Sequence, residues 1–255
     1  MSYEETPLPF SVDFLKEVYL FGLDLTDDAG NPYSDVLYEH YIRAAVARLE
    51  REIEIPVNPI SLVGETHDYW RRDARQWFWF ETDWSPILEI TKVELKYPGT
   101  GTNVSFPIEW VTFDKRGIGN RVQMVPRSGT LDQVFIAQGG SNFPMYQYAE
   151  GYVPDLINID YRAGFDFQKI PADVKHAIAM IAAMGPLNIA GDLLGGAGIA
   201  TKSISIPGIS TNVSTTSSAT NAGYGARILQ YFKELKVIIP RLREYYGKNV
   251  KLAVM

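Results

Sequence analysis

The spacing of apolar residues changes twice along the chain, and this double change limits the fold more than any other feature. Up to residue 58 the apolar residues recur every three or four positions, as they do on one face of a helix. From Ile60 to about Ala163 short runs typical of strands replace that spacing, and the helical spacing returns after Pro171. A chain of 255 residues does not require two full domains. The pattern therefore predicts either one helical core with a large β-rich insertion or a pair of domains.

Two helices are predicted before the β-rich segment. Ser11 is placed to cap a short helix that ends near Gly22, and Ser34 is placed to cap a longer one that ends before Pro56 and Pro59. The apolar stripe of the longer helix is formed by Leu37, Tyr41, Ala45, Leu49 and Ile53, widened by Tyr38, Ile42 and Val46.

Two more helices are predicted after it. Pro171 suits the first position of a helix that Gly185-Pro186 is expected to break or kink, and the last helix starts near Tyr224 with an expected kink at Pro240. The apolar positions of the first are Val174, Ala177, Ile178, Ile181 and Met184 or Gly185, and those of the second are Ile228, Phe232, Leu235, Ile239, Leu242 and Tyr246.

The β-rich segment contains one clear alternating strand, ITKVELKY. Ile90, Val93 and Leu95 alternate with Lys92, Glu94 and Lys96, apart from a slip at Thr91. One face of this strand is therefore expected to contact solvent. The segments QWFWFETDW, SFPIEWVTF and RVQMVP are also interpreted as strands, and SISIPGIS as a small hairpin around Pro207-Gly208.

These elements predict an α+β fold, in which a β-rich insertion lies between the second and third helices of a small antiparallel helical bundle. The predicted bundle core comprises residues 8–58, 165–194 and 222–247, and the insertion comprises residues 59–164. Residues 195–221 are expected to form a flexible loop rich in Gly, Ser and Thr, and residues 248–255 a C-terminal tail.

Composition and charge exclude several classes of function. Cys is absent, so disulfides and Cys-based zinc sites are excluded. The net charge of −6 argues against tight non-specific DNA binding, which needs clustered Lys and Arg. With no signal-like N-terminus and no long apolar segment, we expect a soluble protein that is made in a cytoplasm.

Two short motifs resemble ligand loops and are interpreted as ordinary loops. GAGIATKS, residues 196–203, has Thr201 where a phosphate-binding loop needs Gly. The acidic linker that starts at Asp24 weakly resembles a calcium loop. Ala29 stands where Gly is required, and Asp35 is shorter than the usual bidentate Glu. No metal or cofactor is therefore predicted.

No catalytic constellation is visible in the sequence. His40, His67 and His176 are far apart, and the adjacent pair His67-Asp68 would point in opposite directions on a strand. A serine-nucleophile motif is absent, so a triad is not supported. Acidic residues are abundant enough for a carbohydrate-active enzyme, but their separation cannot be read from sequence. We therefore expect a protein that is not an enzyme.

The segment YWRRDARQWFWF, residues 69–80, interleaves arginines with aromatic residues. A nucleic-acid stacking surface is one interpretation, although the acidic net charge disfavours it. A buried central strand or a contact between subunits fits better, because Trp, Tyr, Phe and Arg anchor protein interfaces. The predicted subunit-interface residues are Trp70, Arg71, Arg72, Trp77 and Trp79.

Four stretches follow one another in a recognisable order: LDLTDDAGNPYSDVLYEHYIRAAVARLEREIEIPV, the strand segments PILEITKVELKY and WVTFDKRGIGNRVQMVPRSG, INIDYRAGFDFQKIPADVKHAIAMIAA, and IIPRLREYY. In this order they resemble the head-tail connector or adaptor proteins of long-tailed double-stranded DNA phages. The third stretch matches best: its turn contains Tyr161, Ala163, Gly164 and Phe165, and a proline, Pro171, precedes an Ala/Ile helix. The resemblance covers about two thirds of the chain, and each motif alone is only moderately specific. The chain departs from the family where PLNIAGDLLGGAG and the Ser/Thr tract intervene.

The resemblance implies a structural virion protein that forms a ring, with about twelve copies, below the portal in the neck. It implies binding to the portal protein and to a stopper or tail-completion protein, roles in DNA packaging and ejection, and passage of double-stranded DNA without specific binding. No membrane partner is expected. The residues expected to dock a partner are Arg241, Arg243, Tyr245, Tyr246, Lys248 and Lys251. A virion decoration or host-binding module is the alternative.

Overall fold

The computed structural model describes residues 7–74, 79–96, 103–113, 120–125, 151–166, 169–195, 201–206, 209–214 and 224–246. The chain divides into two compact units. The helical unit consists of Met1–Glu54 and Phe167–Arg243, and the β unit consists of Ile55–Asp166 and Glu244–Met255. Helices flank an antiparallel β-rich segment, so the predicted α+β fold is confirmed.

The helices are α1 (Val12–Phe14), α2 (Asp35–Ile53), α3 (Arg71–Ala74), α4 (Ala172–Gly195) and α5 (Gly225–Tyr246), with a π-helical turn at Leu15–Tyr19 and a 3-10 turn at Ile108–Trp110. The strands are β1 (Ile60–Trp70), β2 (Phe80–Glu81), β3 (Ile87–Lys96), β4 (Asn103–Ser105), β5 (Val111–Phe113), β6 (Arg121–Met124), β7 (Tyr152–Ala163), β8 (Thr201–Ile206) and β9 (Ile209–Ser214).

The predicted helix starts differ in how they are capped. The Ser11 hydroxyl accepts a hydrogen bond from the Phe14 N–H at 3.2 Å, as the sequence predicts. Ser34 holds the N-cap position of α2, but its side chain makes no capping hydrogen bond. The Asp35 carboxylate pairs instead with the Lys16 ammonium at 2.7 Å, which joins the π-helical turn to the start of α2.

Helix α4 is the centre of the helical unit and packs against α2. The residues of the predicted apolar stripe are buried, but burial extends beyond the stripe, because Ala179, Met180 and Ala183 are also fully buried. From Ala177 to Ala190 the helix carries no charged residue, and Asn188 is the one exposed position in this range. Among the described residues no helix, α4 included, is long and apolar enough to span a membrane.

The helices also pass through both prolines without a break. Helix α4 is continuous through Pro186, and α5 is continuous through Pro240. A break at Gly185-Pro186, one of the two outcomes predicted there, is therefore excluded, and the kinks at Pro186 and Pro240 stay predictions. The missing side chain of Gly185 makes room for the ring of Tyr41, since an added β-carbon would lie 2.2 Å from that ring. Close packing offsets the hydrogen bond that the proline removes.

The β unit contains a four-stranded antiparallel sheet in the order β1-β7-β3-β4 and a three-stranded sheet in the order β2-β6-β5. Apolar residues of both sheets share one core with Trp110 of the 3-10 turn. The fully buried members include Val93, Leu95, Val122, Leu156 and Ile159.

Strand β3 confirms the alternation that its sequence predicts. Ile90, Val93 and Leu95 are buried, and the register with β7 shifts between Ile90 and Lys92, where the pattern slips at Thr91. Glu94 departs from the expected wet face, because it is only 5% exposed. Its carboxylate accepts hydrogen bonds from Lys92 at 2.8 Å and from Ser105 at 3.0 Å, which offsets the cost of burying it.

The hairpin that SISIPGIS predicts is confirmed and is longer than expected. Strands β8 and β9 pair from Thr201↔Ser214 to Ile206↔Ile209. Lys202 and Ser203 thus lie in a strand, whereas the corresponding residues of a phosphate-binding loop open a helix. Residues 196–200 of that motif lie outside the described residues.

Candidate interaction surface

Trp70 and Tyr152 form an exposed aromatic stack in the β unit. They are directly opposite each other where β1 pairs with β7, so their side chains share one face of the sheet. Their ring centroids lie 4.6 Å apart, and the side chains remain 41% and 39% exposed. The guanidinium of Arg72, from α3, lies 5.2 Å from the centroid of the Trp70 ring. An amphipathic ring pair with a cation above it is typical of an interface anchor.

Asp68 holds the Tyr152 side of this stack in place. Its carboxylate accepts hydrogen bonds from the Tyr152 hydroxyl at 3.2 Å and from the Asp155 N–H at 3.1 Å. Asp155 has a positive φ of 50°, so the carboxylate stabilises an unusual backbone conformation at the beginning of β7. Hydrogen bonds at this end of the β1–β7 pair therefore hold the Tyr152 ring in the stack.

A second cation–aromatic pair follows on the same stretch of chain. The Arg121 guanidinium, from β6, lies 4.4 Å from the centroid of the half-buried Trp79 ring. The sequence interpretation of residues 76–84 as one strand is wrong in its extent, because β2 contains only Phe80 and Glu81. Trp77 lies outside the described residues, and Arg71 is described only as the first residue of α3.

The predicted docking residues near the C-terminus occupy different environments. Arg241 is exposed, Tyr245 is 48% exposed, and the Arg243 guanidinium pairs with the Glu54 carboxylate. Tyr246 is only 6% exposed: its ring contacts Phe165 edge to face at 5.3 Å, and its carbonyl accepts a hydrogen bond from Ser85. Tyr246 is thus part of the packing of the β unit. Lys248 and Lys251 lie outside the described residues.

A carboxylate network within the β unit was not visible in the sequence. The Glu65 side chain is 9% exposed, and its carboxylate accepts hydrogen bonds from the Tyr161 hydroxyl at 2.5 Å and from the Asp83 N–H at 2.7 Å. His67 Nε2 lies 2.8 Å from the same carboxylate. Burial raises the pKa of Glu65, but these hydrogen bonds outweigh it and hold the pKa below its usual value.

Tyr161 is the protonated partner of this network. Burial raises its pKa, and the Glu65 carboxylate that accepts its hydrogen bond raises it further. Both Glu65 oxygens are already engaged by protein donors, so this carboxylate is not placed as one of a facing pair across a cleft, as a glycosidase requires. The network joins β1 to β7 and stabilises the sheet.

The helical unit brings together a hydroxyl, an imidazole and a carboxylate. The Tyr19 oxygen lies 2.6 Å from His176 Nδ1, and His176 Nε2 lies 3.0 Å from the Glu234 carboxylate. The order is that of a catalytic triad, but burial raises the pKa of Tyr19, which weakens it as a nucleophile. This series of hydrogen bonds links the π-helical turn, α4 and α5. Residues so distant in the chain give no sequence signal.

The acidic linker uses its central carboxylate for its own turn. Asp27 accepts hydrogen bonds from the Asn31 N–H at 2.8 Å and the Ala29 N–H at 2.9 Å. The backbone and side-chain hydrogen bonds from Asn31 lower the pKa of Asp27. Within the part of the chain that the structure describes, no group of three or more His, Cys, Asp or Glu residues is arranged to hold a metal ion.

Comparisons with known proteins add two solved structures. No family model matches the chain, and no curated protein matches it. A chain of the neck of an empty GTA particle, computed with C6 symmetry, is 18% identical, with 69% of this chain and 77% of that chain covered and a TM-score of 0.38. A chain of the virion of a native gene transfer agent (GTA) particle is 18% identical, with 71% and 80% covered and a TM-score of 0.40. At these TM-scores neither likeness supports a conclusion about this chain.

Proposed function

We propose that the chain is a structural virion protein: a head-tail adaptor that forms a ring below the portal in a phage neck. In this role it extends the DNA channel and docks a stopper or tail-completion protein. The helical unit is the hub of each subunit, and the β unit carries one of the surfaces that neighbouring subunits contact. The proposal includes the domain boundaries predicted from the sequence: a bundle core of residues 8–58, 165–194 and 222–247, an insertion of residues 59–164, a loop of residues 195–221 and a tail of residues 248–255.

The turn from Tyr161 to Phe165 is the observation that carries the proposal. It lies in the stretch that most resembles the adaptor family, and its residues are used for shape. Tyr161 and Ala163 are buried, Gly164 has a φ of +118°, and Phe165 packs against Tyr246. A joint between a sheet and a helix needs this shape and no reactive group.

The exposed stack of Trp70 and Tyr152 supports a role in assembly. Large aromatic side chains that are about 40% exposed gain most from burial in a well-packed contact. Arg72 adds a cation that can pair across such a contact. We propose that these residues, with Trp79 and the predicted Arg71 and Trp77, face a neighbouring subunit.

The charge of the chain suits a DNA channel. A net charge of −6 leaves the wall without the dense cationic patches that would bind the phosphate backbone. Repulsion between like charges prevents wells deep enough to stall a moving duplex. The channel would therefore let DNA pass without holding it.

Assembly with the portal protein of the same virus tests the proposal. The purified chain is measured by mass photometry and electron microscopy, alone and mixed with portal rings. We expect a closed ring of about twelve copies seated on the portal. A chain that associates neither with itself nor with the portal would overturn the proposal.

The C-terminal tail is proposed to dock on the portal. Removal of residues 248–255 keeps Tyr246, which the β unit buries, so the truncated chain should fold normally. We expect it to form no complex with the portal in a pull-down, whereas Arg241→Ala should weaken the complex only in part. Undiminished binding by the truncated chain would reject the docking arm.

A decoration or host-binding module is the second candidate. The exposure of Trp70 and Tyr152 favours it if these rings bind a ligand outside the particle. Cryo-microscopy of the intact virion separates the two functions, since an adaptor lies in the neck and a decoration protein on the outer surface.

A further inference from the structure

One face of α5 exposes apolar and basic side chains together. Leu229 and Val237 are each 51% exposed, and Phe232 is 43% exposed. Lys233 and Lys236 are exposed beside them, and the Lys236 ammonium lies 4.7 Å from the centroid of the Phe232 ring. We call these five residues the α5 outer face. Its composition suits a partner surface that is apolar and acidic.

The chain carries such a surface itself. Residues 17–39 contain six acidic residues and no Lys or Arg. The same segment exposes large apolar side chains: Phe21 and Val36 are each 75% exposed, and Val18 is 55% exposed. We call residues 17–39 the acidic segment.

The turn at the centre of the acidic segment has a defined shape before any partner binds. The Asp27 N–H donates to the Asn31 carbonyl at 2.9 Å, and Thr26 forms a β-bridge with Pro32. Asp27 is used inside the turn, Asp35 pairs with Lys16 and Glu39 pairs with Arg43, so the carboxylates that remain for a partner are Glu17, outside the turn, and Asp24 and Asp28 beside it. Asp24 and Asp28 are both exposed, and neither forms an ion pair with another described residue. A preorganised turn loses little entropy on binding.

The two surfaces of one copy face different directions. The Tyr231 hydroxyl donates a hydrogen bond to the Tyr19 carbonyl at 2.8 Å, so this side of α5 faces the segment that contains Tyr19. Leu229 and Lys233 are each two residues from Tyr231, which places them about 160° away around the helix axis. The α5 outer face therefore points away from the acidic segment of its own copy.

We propose that the α5 outer face of one copy binds the acidic segment of the next copy. The contact joins two different surfaces, so it is head to tail and can close into a ring. Apolar side chains would form its centre, and Lys233 and Lys236 would pair with Asp24 and Asp28. This inference rests on the proposed ring and names a contact for it within the helical unit.

Charge reversal on each side tests the pairing. One variant carries Lys233→Glu and Lys236→Glu, the other carries Asp24→Lys and Asp28→Lys, and Asp27 is left in place to keep the turn. Each alone should reduce ring formation at least about tenfold, because two like-charged surfaces then meet. A chain with all four changes should assemble again, with or without the portal. Lys96→Glu with Glu109→Lys, two exposed positions of the β unit, is the control and should assemble normally.

A cysteine pair provides a second test that does not depend on assembly yield. The chain has no Cys, so Asp28→Cys and Lys233→Cys can each be placed in a clean background. A mixture of the two variants should form an intermolecular disulfide under mild oxidation, whereas Glu109→Cys mixed with Lys233→Cys should not.

The outcomes separate this inference from the proposed function. Normal assembly of both charge-reversed variants, or failure of the fourfold variant to recover, overturns the pairing and leaves the ring proposal standing. The absence of any self-association by the unmodified chain, alone or with the portal, overturns both.

Discussion

Gly164 and Asn58 approach so closely that no side chain fits between them. A β-carbon on Gly164 would lie 2.7 Å from the Asn58 carbonyl oxygen, and the φ of Gly164 is +118°. The Gly164 N–H donates to the Pro86 carbonyl at 2.9 Å, and the next N–H, of Phe165, donates to Val57 at 3.3 Å. This joint brings the end of β7 beside the beginning of β1.

Gly164→Ala should destabilise the β unit by about 3 kcal/mol, because backbone strain adds to a clash with backbone atoms that cannot move aside. Gly64→Ala is the matched control within the β unit. Its φ is +79°, but the nearest atom to a β-carbon there is the side-chain nitrogen of Asn158 at 3.8 Å, so a cost near 1 kcal/mol is expected. Denaturant unfolding followed by Trp fluorescence reports the β unit, since all five Trp lie between residues 70 and 110. Equal costs for the two variants would contradict the proposed clash.

The hydrogen bonds that Glu65 forms with His67, Tyr161 and the Asp83 N–H should make the stability of the β unit depend on pH. The pKa of Glu65 in the folded chain is below its usual 4.5. The stability that this difference provides is therefore fully present above about pH 4.5 and is lost as the pH falls through the folded-state pKa. Glu65→Gln should lower the free energy of unfolding by an amount on the order of 1–3 kcal/mol at pH 7. The difference in unfolding free energy between the variant and the unmodified chain should become smaller in acid. A difference that stays constant from pH 7 to pH 3 would contradict this.

Tyr161→Phe should leave the carboxylate buried with one donor fewer, at a cost of about 1–3 kcal/mol. Combined with Glu65→Gln, the two losses should sum to more than the double variant shows, because both remove one interaction. Strict additivity in equilibrium unfolding would indicate that the two side chains act independently.

Gly185→Ala should destabilise the helical unit, although alanine favours a helix over glycine by about 1 kcal/mol. The added carbon would lie 2.2 Å from the Tyr41 ring, so the ring must leave its place in the packing. Tyr41→Ala should cost stability alone and should turn Gly185→Ala from harmful to neutral or helpful. Circular dichroism during thermal unfolding measures the four chains. A harmful Gly185→Ala in the Tyr41→Ala background would place the cause elsewhere.

Trp70→Ala and Tyr152→Ala should disrupt assembly more than folding. Because both side chains are about 40% exposed, each loss of unfolding free energy should stay near 1 kcal/mol, while an interface anchor is worth about 2 kcal/mol or more in binding. Val63→Ala, on the same strand and with Val63 84% exposed, is the control. Mass photometry of rings with the portal measures the effect, and unchanged ring formation by Trp70→Ala would exclude the stack from the interface.

Local sequence patterns were sufficient to predict which segments form helices and which form strands, and much of the order of these elements along the chain. The alternation in β3 predicted its buried side, because the position of each side chain there follows from the pleat of a strand. The slip in the pattern at Thr91 coincides with the register shift between Ile90 and Lys92. The α+β class followed from the change of apolar spacing. Ser11 and Gly22 marked the ends of a short helical segment, since capping depends on neighbouring residues.

What depends on distant residues was decided by packing alone. Burial of α4 extended beyond the predicted stripe, and Pro186 remained inside the helix, where α2 and the π-helical turn pack against α4. Trp70 could be named from the sequence only as a candidate interface residue, and its partner Tyr152 lies 82 positions later and meets it only through the β1–β7 register. Two sets of hydrogen bonds likewise form only when separate segments pack together. One links Tyr19, His176 and Glu234, and the other links Tyr161 to Glu65. The spacing of apolar residues predicts which side of a segment is buried, but it does not say which residues that side contacts. Those contacts are set by the free energy of packing the whole chain.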